Sequence, residues 1–169
     1  MLIWLLGLAL AKDPEPCMGL EAPPQTMSVA WVSPIKKRTG SRHWLLVTPT
    51  SELRQKLAPQ DNVGRLLQLM GLRKRAKTPK KPYKVIVFEV NSGLMCRPLE
   101  GYLPYEEVTG IPACPGSYGR ATPRYSGCGY STDWATEERG VELYRVQWRD
   151  AVRSGFCVLP AERFLSASR

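Results

Sequence analysis

The stretch Lys84-Val-Ile-Val-Phe-Glu-Val90 decides the fold class of this chain. Its nearly continuous run of β-branched and aromatic residues predicts a β-strand, because such side chains pack well on a pleated surface. The lack of regular polar alternation indicates that both faces of the strand are covered. We therefore expect a sheet with this strand near its centre and with packed elements on both sides.

Upstream of this strand, the pattern predicts two more strands. Ser28–Val32 and His43–Thr48 are short apolar runs, and the basic turn between them contains Pro34 and Gly40. Proline and glycine are the usual residues at the ends of such a turn. These two strands are expected to join the same sheet.

Two helical segments follow, over Ser51–Leu57 and Asn62–Leu72, and we expect Ser51 and Asp61 to be their N-caps. The second segment carries apolar residues at positions i, i+3, i+4 and i+7, which predicts an amphipathic helix. Those residues are Val63, Leu66, Leu67 and Met70. The pair is interpreted as a two-helix insertion between strands, with a helix-turn-helix as the alternative.

Downstream, Val141–Trp148 alternates in polarity as a strand does, residues 149–155 read as a turn, and Phe156–Leu159 reads as a returning partner strand. A short helix over Ala161–Leu165 is expected next. This C-terminal hairpin, with its Tyr144-Arg-Val-Gln-Trp148 pattern, resembles the strand pairs of small SH3-like barrels. Small barrels of that kind bind nucleic acid or peptides, so the resemblance names no single function.

The segment between Asn91 and Glu138 is rich in glycine, proline and tyrosine, and no long helix fits there. A long loop inside a small domain is usually functional or mobile. Tyrosine interleaved with arginine can stack on unpaired bases and hold phosphates. The alternative is that the tyrosines pack half-buried over the sheet.

The 169 residues suit one domain of class α+β. We expect a small, mainly antiparallel sheet or a partly open barrel, with a two-helix insertion and a long Gly/Pro/Tyr-rich loop. The side chains expected in the core are Val85, Val87, Leu66, Met70, Val146 and Phe156.

The first 26 residues differ from the rest, because an apolar run over residues 2–11 is followed by a Pro-rich stretch over residues 12–26. The run resembles the core of a signal peptide and is too short for a transmembrane helix, which needs about 20 apolar residues. A start at Met27 or an apolar helix docked on the domain would also fit. We divide the chain into a 1–26 leader and linker and a 27–169 basic domain. The expected location is cytoplasmic, or secreted if residues 1–11 are a signal peptide.

The charge is concentrated in one segment. The whole chain has a net charge of +9, but residues 36–84 contain fourteen basic residues against Glu52 and Asp61 alone, a net charge of +12. Such asymmetry is typical of a protein that binds a polyanion, because clustered Lys and Arg displace the counterions of phosphates. A solvated loop that serves solubility is the alternative.

The function expected from this charge is non-enzymatic binding of nucleic acid, DNA or RNA, through its phosphate backbone, alone or within a larger nucleoprotein complex. An exported, disulfide-braced domain that binds an anionic surface or a protein partner is the alternative. The candidate nucleic-acid-binding residues are Lys36, Lys37, Arg38, Arg42, Arg73, Lys74, Arg75, Lys77, Lys80, Lys81, Arg120, Arg124, Tyr118 and Tyr125.

The sequence lacks the motifs that are typical of several catalytic and metal-binding sites. His43 is the only histidine, and no P-loop, no G-x-G-x-x-G motif and no H-E-x-x-H motif is present. The five cysteines have no C-x-x-C spacing, so we expect no zinc site and no cofactor. They are either buried thiols of a reducing compartment or the disulfides of an exported domain, and the pairing stays open.

Overall fold

A computed structural model of the chain describes residues 23–33, 44–72, 83–98, 111–112, 114, 125–127, 129–136 and 138–167. The strands of this described part are β1 (Thr26–Ser33), β2 (Trp44–Pro49), β3 (Lys84–Asn91), β4 (Met95–Cys96), β5 (Tyr125–Gly127), β6 (Tyr130–Thr132), β7 (Arg139–Glu142), β8 (Tyr144–Gln147) and β9 (Phe156–Pro160). The α-helices are α1 (Thr50–Lys56), α2 (Val63–Leu69), α3 (Trp148–Ser154) and α4 (Ala161–Ser166), and Ser92–Leu94 forms a 3-10 helix. The division into a 1–26 leader and a 27–169 domain stays a prediction.

The strands form two antiparallel sheets. The larger sheet has the order β4-β8-β2-β1-β3-β9, and the smaller has the order β5-β6-β7. The predicted α+β class with a mainly antiparallel sheet is confirmed. The larger sheet is open, because among the described residues no pairing joins β4 to β9. The barrel form of the prediction is therefore not supported.

The strand β3 lies between β1 and β9 and is covered on both faces, as its sequence predicts. Val85 and Val87 contact one apolar cluster, while Ile86, Phe88 and Val90 contact another on the opposite face. Successive side chains of a strand point to opposite faces, so a strand with two buried faces needs apolar residues at nearly every position. Burial of Val85 is confirmed, and Val87 is partly buried.

The helices α1 and α2 lie between β2 and β3 in the chain, as the predicted insertion requires. Leu53 and Leu66 are fully buried in the cluster that includes Val85, and Met70 is buried beside them. The predicted caps are wrong. Pro49 precedes α1 without a side-chain cap, and the Asn62 side chain accepts the capping hydrogen bond from the Arg65 backbone N–H.

Most of the predicted strand Val141–Trp148 is β-strand, but it forms parts of two strands instead of one, because the chain passes from one sheet to the other at Leu143. Residues Arg139–Glu142 pair with β6, whereas Tyr144–Gln147 pair with β2 and β4. Leu143 donates its backbone N–H to the carbonyl of Gly129 instead of continuing either ladder. Val146, which follows this crossing, is fully buried as expected.

The predicted C-terminal hairpin is also wrong. The residues that read as a turn form the helix α3, whose Ala151 is buried against the sheet, and Gly155 ends it with a φ of 73°. β9 then pairs with β3 rather than with β8, so the SH3-like strand pair is absent. Phe156, expected in the core, is 44% exposed because β9 is the outermost strand. The short helix after Pro160 is confirmed.

Candidate nucleic-acid interface

Two basic segments of the chain are attached to the same end of the larger sheet. The first, residues 34–43, connects β1 to β2, and the second, residues 73–82, connects the end of the α2 region to β3. Ser33, the last residue of β1, is the register partner of Lys84, the first residue of β3. Partners in an antiparallel ladder have Cα atoms about 5 Å apart. The points at which the two segments join the sheet are therefore adjacent.

Most of the candidate residues from the sequence lie outside the described part of the chain: Lys36, Lys37, Arg38, Arg42, Arg73, Lys74, Arg75, Lys77, Lys80, Lys81, Tyr118, Arg120 and Arg124. Tyr125 is the first residue of β5 and pairs with Ser131, and only its backbone is described. The structure thus describes where the basic segments attach, and the candidate contacts themselves stay predictions.

One aromatic residue at this end of the sheet was not among the candidates from the sequence. Trp44 is the first residue of β2, it pairs with Gln147 of β8, and it is 40% exposed. A tryptophan directly after a basic turn can be recognised in the sequence as a candidate for binding, but its exposure depends on the position of β2 in the sheet. Leu45, the next residue, is buried.

Two basic side chains of the described helices are already paired with carboxylates. Lys56 of α1 lies 3.7 Å from Glu52, and Arg65 of α2 lies 2.7 Å from Asp133. The hydrogen bond from Arg65 holds the pKa of the Asp133 carboxyl below its usual value. These two cations therefore stabilise the fold locally. Ten of the fourteen basic residues of 36–84 lie in the two basic segments.

A second polar cluster surrounds the buried guanidinium of Arg97. Its Nη1 donates to the Tyr144 hydroxyl at 2.9 Å and lies 3.4 Å from Glu142 Oε2. Tyr144 and Tyr130 both donate their hydroxyls to the Glu142 carboxylate, at 2.7 and 2.9 Å. Burial, helped by the negative charge of Glu142, raises the pKa of Tyr130 to about 12.

This cluster borders a cleft of about 620 Å³ beside α1, lined by Glu52, Glu142, Tyr144 and residues near the start of β1. Burial raises the pKa of the Glu52 carboxyl, and the backbone N–H of Glu142, which donates to Glu52 at 2.9 Å, opposes that shift. Both carboxyl groups already have protein partners on their oxygens. We therefore interpret the cluster as a structural network that joins α1, β7 and β8.

The cysteines are partly paired. Cys96 and Cys114 form a disulfide, and backbone hydrogen bonds from Arg97 to Pro112 and from Cys114 to Arg97 run beside it. Cys157 of β9 is exposed and reduced. The sequence left the pairing open, because the spacing of several cysteines allows more than one set of disulfides.

Two further features are absent from the described residues. They contain no group of three or more His, Cys, Asp or Glu side chains that could hold a metal ion. None of the helices described here is long and apolar enough to cross a membrane.

Comparison with protein-family models, curated proteins and solved structures finds no match to this chain. Inference about function therefore depends on the chain's own residues.

Proposed function

We propose that this protein binds nucleic acid through the phosphate backbone, using the basic segment 36–84, and that it does so without catalysis. The observation that supports this most is the register of Ser33 with Lys84, which attaches residues 34–43 and residues 73–82 to one end of the sheet. Basic residues from two separate parts of the sequence are thereby attached to the same end of the sheet.

The charge of the two segments is large for their length. Residues 34–43 contain four basic residues and residues 73–82 contain six, and neither segment contains an acidic residue. Each Lys or Arg that neutralises a phosphate releases a condensed counterion, so affinity should fall steeply with salt. Contacts to phosphate carry little sequence information, so binding should be broad across sequences.

The test is a titration of labelled single- and double-stranded DNA and RNA at several salt concentrations. A double variant, Arg73→Ala with Lys74→Ala, should weaken binding to every sequence alike and reduce the salt slope by up to about 2 units. Arg153→Glu is the control, since it lowers the net charge by the same two units at the opposite end of the sheet, where Arg153 lines a cavity with Thr26 and Asn91. If the wild type binds none of the four nucleic acids at low salt, the proposal is wrong.

A second function is favoured by one observation, the disulfide between Cys96 and Cys114. Disulfides persist mainly in oxidising compartments, so this pair favours an exported domain whose cationic end binds an anionic surface or a protein partner.

The two functions are separated by the mature N-terminus and the thiols of the protein purified from its native source after rapid alkylation. A chain that begins at Lys12 with Cys96 and Cys114 linked supports the exported domain. A chain that begins at Met27 with both thiols alkylated supports the cytoplasmic nucleic-acid-binding protein.

A further inference from the structure

The indole of Trp44 lies at the end of the sheet that the proposed function requires to be cationic. Trp44 directly follows the first basic segment, and the second basic segment ends just before Tyr83 and Lys84 in the chain. Lys84 pairs with Ser33, the residue that precedes the first segment. The first basic segment thus runs from Ser33, the partner of Lys84, to Trp44, whose side chain is 40% exposed.

The backbone that carries Trp44 pairs with β8, whereas β2 pairs with β1 only at Thr48 and Pro49. β2 lies between β8 and β1, and Trp44 pairs with Gln147 at the end of β8. Leu45 and Val47 point into one core cluster, and Leu46 packs against the cluster on the other face. By the alternation of a strand, Trp44 shares the face of Leu46 and extends beyond the core at its rim. The backbone of Trp44 is fixed by its pairing with Gln147, and its side chain is 40% exposed to solvent.

We infer that Trp44 is a stacking platform for an unpaired base, and that the ligand of the proposed interface is single-stranded nucleic acid. This inference rests on the proposed function. Every base has a π-face, so stacking on an indole tolerates any sequence, and adjacent cations hold the backbone that carries the base. In a duplex each base is already stacked and paired, so no base has a free face that could stack on the indole.

Another exposed aromatic residue provides the matched control. Phe156 is 44% exposed on β9, where it pairs with Phe88. Phe88 lies four residues along β3 from Lys84, a distance of about 13 Å along the strand. Phe156 thus has similar exposure but a different position relative to the basic segments.

The experiment measures affinity of the full chain for oligo(dT), oligo(rU) and a mixed-sequence DNA duplex of equal length, at one salt concentration. Trp44→Ala should weaken binding to both single strands by about 5- to 150-fold and change duplex binding less than about twofold. Trp44→Phe should keep most of the single-strand affinity, and Phe156→Ala should change neither.

Fluorescence gives a readout that does not depend on how well Trp44→Ala folds. The chain has five tryptophans, so the emission lost between wild type and Trp44→Phe belongs to Trp44. Oligo(dT) should quench that component.

Four outcomes would overturn the inference. Unchanged single-strand affinity of Trp44→Ala, or no quenching of the Trp44 component, would remove the platform while leaving the proposed function in place. An equal loss on single strands and duplex would mean that Trp44 supports the cationic surface without stacking. A wild type that binds neither form would overturn the proposed function, and the inference with it.

Discussion

The guanidinium of Arg97 donates a hydrogen bond of 2.9 Å to the hydroxyl of Tyr144, and both side chains are shielded from solvent. Arg97 also lies over the ring of Tyr130, with its Cζ 4.9 Å from the ring centre, and beside the Glu142 carboxylate. This one cation links β4 to β8 and to the smaller sheet.

Replacing Arg97 with Met should lower the free energy of unfolding by about 3–5 kcal/mol, because it leaves the Glu142 carboxylate without its buried counter-charge. Urea unfolding at neutral pH, followed by circular dichroism, measures the change. Arg153→Met, on the exposed side of α3, is the control and should change stability by less than about 0.5 kcal/mol. If Arg97→Met loses no more stability than the control variant, the guanidinium makes no net contribution to the free energy of unfolding.

Gly129 and Gly155 have the same φ of 73°, and they differ in what surrounds them. A Cβ at Gly129 would collide with the side chain of Arg97, whereas a Cβ at Gly155 would meet nothing within 4 Å. Gly155→Ala should therefore cost only the backbone term of about 1–3 kcal/mol, because a φ of 73° with a ψ of 148° is a conformation that is essentially restricted to glycine. Gly129→Ala should cost a further ~1–3 kcal/mol, since the Arg97 side chain is buried and has no room to shift. Equal losses in the two variants, measured by urea unfolding, would contradict the packing around Arg97.

The pKa of Tyr130 predicts a loss of stability at alkaline pH. Its value rises from 10.0 to about 12 on folding, so its contribution is complete below pH 10 and is lost as the pH rises toward 12. Tyr130→Phe removes this titrating group. Its stability should therefore decline less than that of the wild type across this window. Urea unfolding at pH 9, 10 and 11 provides the comparison, and parallel curves for the two proteins would be inconsistent with the raised pKa.

The ion pair of Asp133 with Arg65 predicts a loss of stability in acid. Folding lowers the pKa of Asp133 from its ordinary 3.8, chiefly through the hydrogen bond from Arg65. The contribution is thus present above pH 3.8 and is lost as the pH falls through the lower folded value. Asp133→Asn should be less stable than the wild type at pH 7, and the difference should shrink toward pH 2. Urea unfolding at both pH values measures it, and a constant difference would mean that Asp133 acts without its charge.

Some elements could be predicted from the sequence because their signal is local. The strand β3 has apolar residues on both faces, and Leu66, Leu67 and Met70 of the α2 region repeat with a helical period. Periodicity is a property of neighbouring residues, so it survives without knowledge of the rest of the fold. The net charge of +12 over residues 36–84 is likewise a direct count.

The partners of those elements could not be predicted, because pairing joins residues distant in the chain. Residues 141–148 alternate in polarity as one strand would, but the interruption at Leu143 depends on its hydrogen bond to Gly129. β9 pairs with β3, which precedes it by some seventy residues, instead of with the nearby β8. That choice makes β9 an edge strand and leaves Phe156 exposed, although its side chain is as apolar as any core residue.

The candidate interface divides in the same way between sequence and tertiary structure. The sequence alone determines which residues carry positive charge. It also determines that residues 34–43 and 73–82 contain no acidic residue. Both segments attach to one end of the sheet because Ser33 pairs with Lys84. The exposure of Trp44 depends on the position of β2 in the sheet. Charge belongs to each residue separately, whereas proximity and exposure are set by strand pairing over long distances along the chain, which only the folded structure determines.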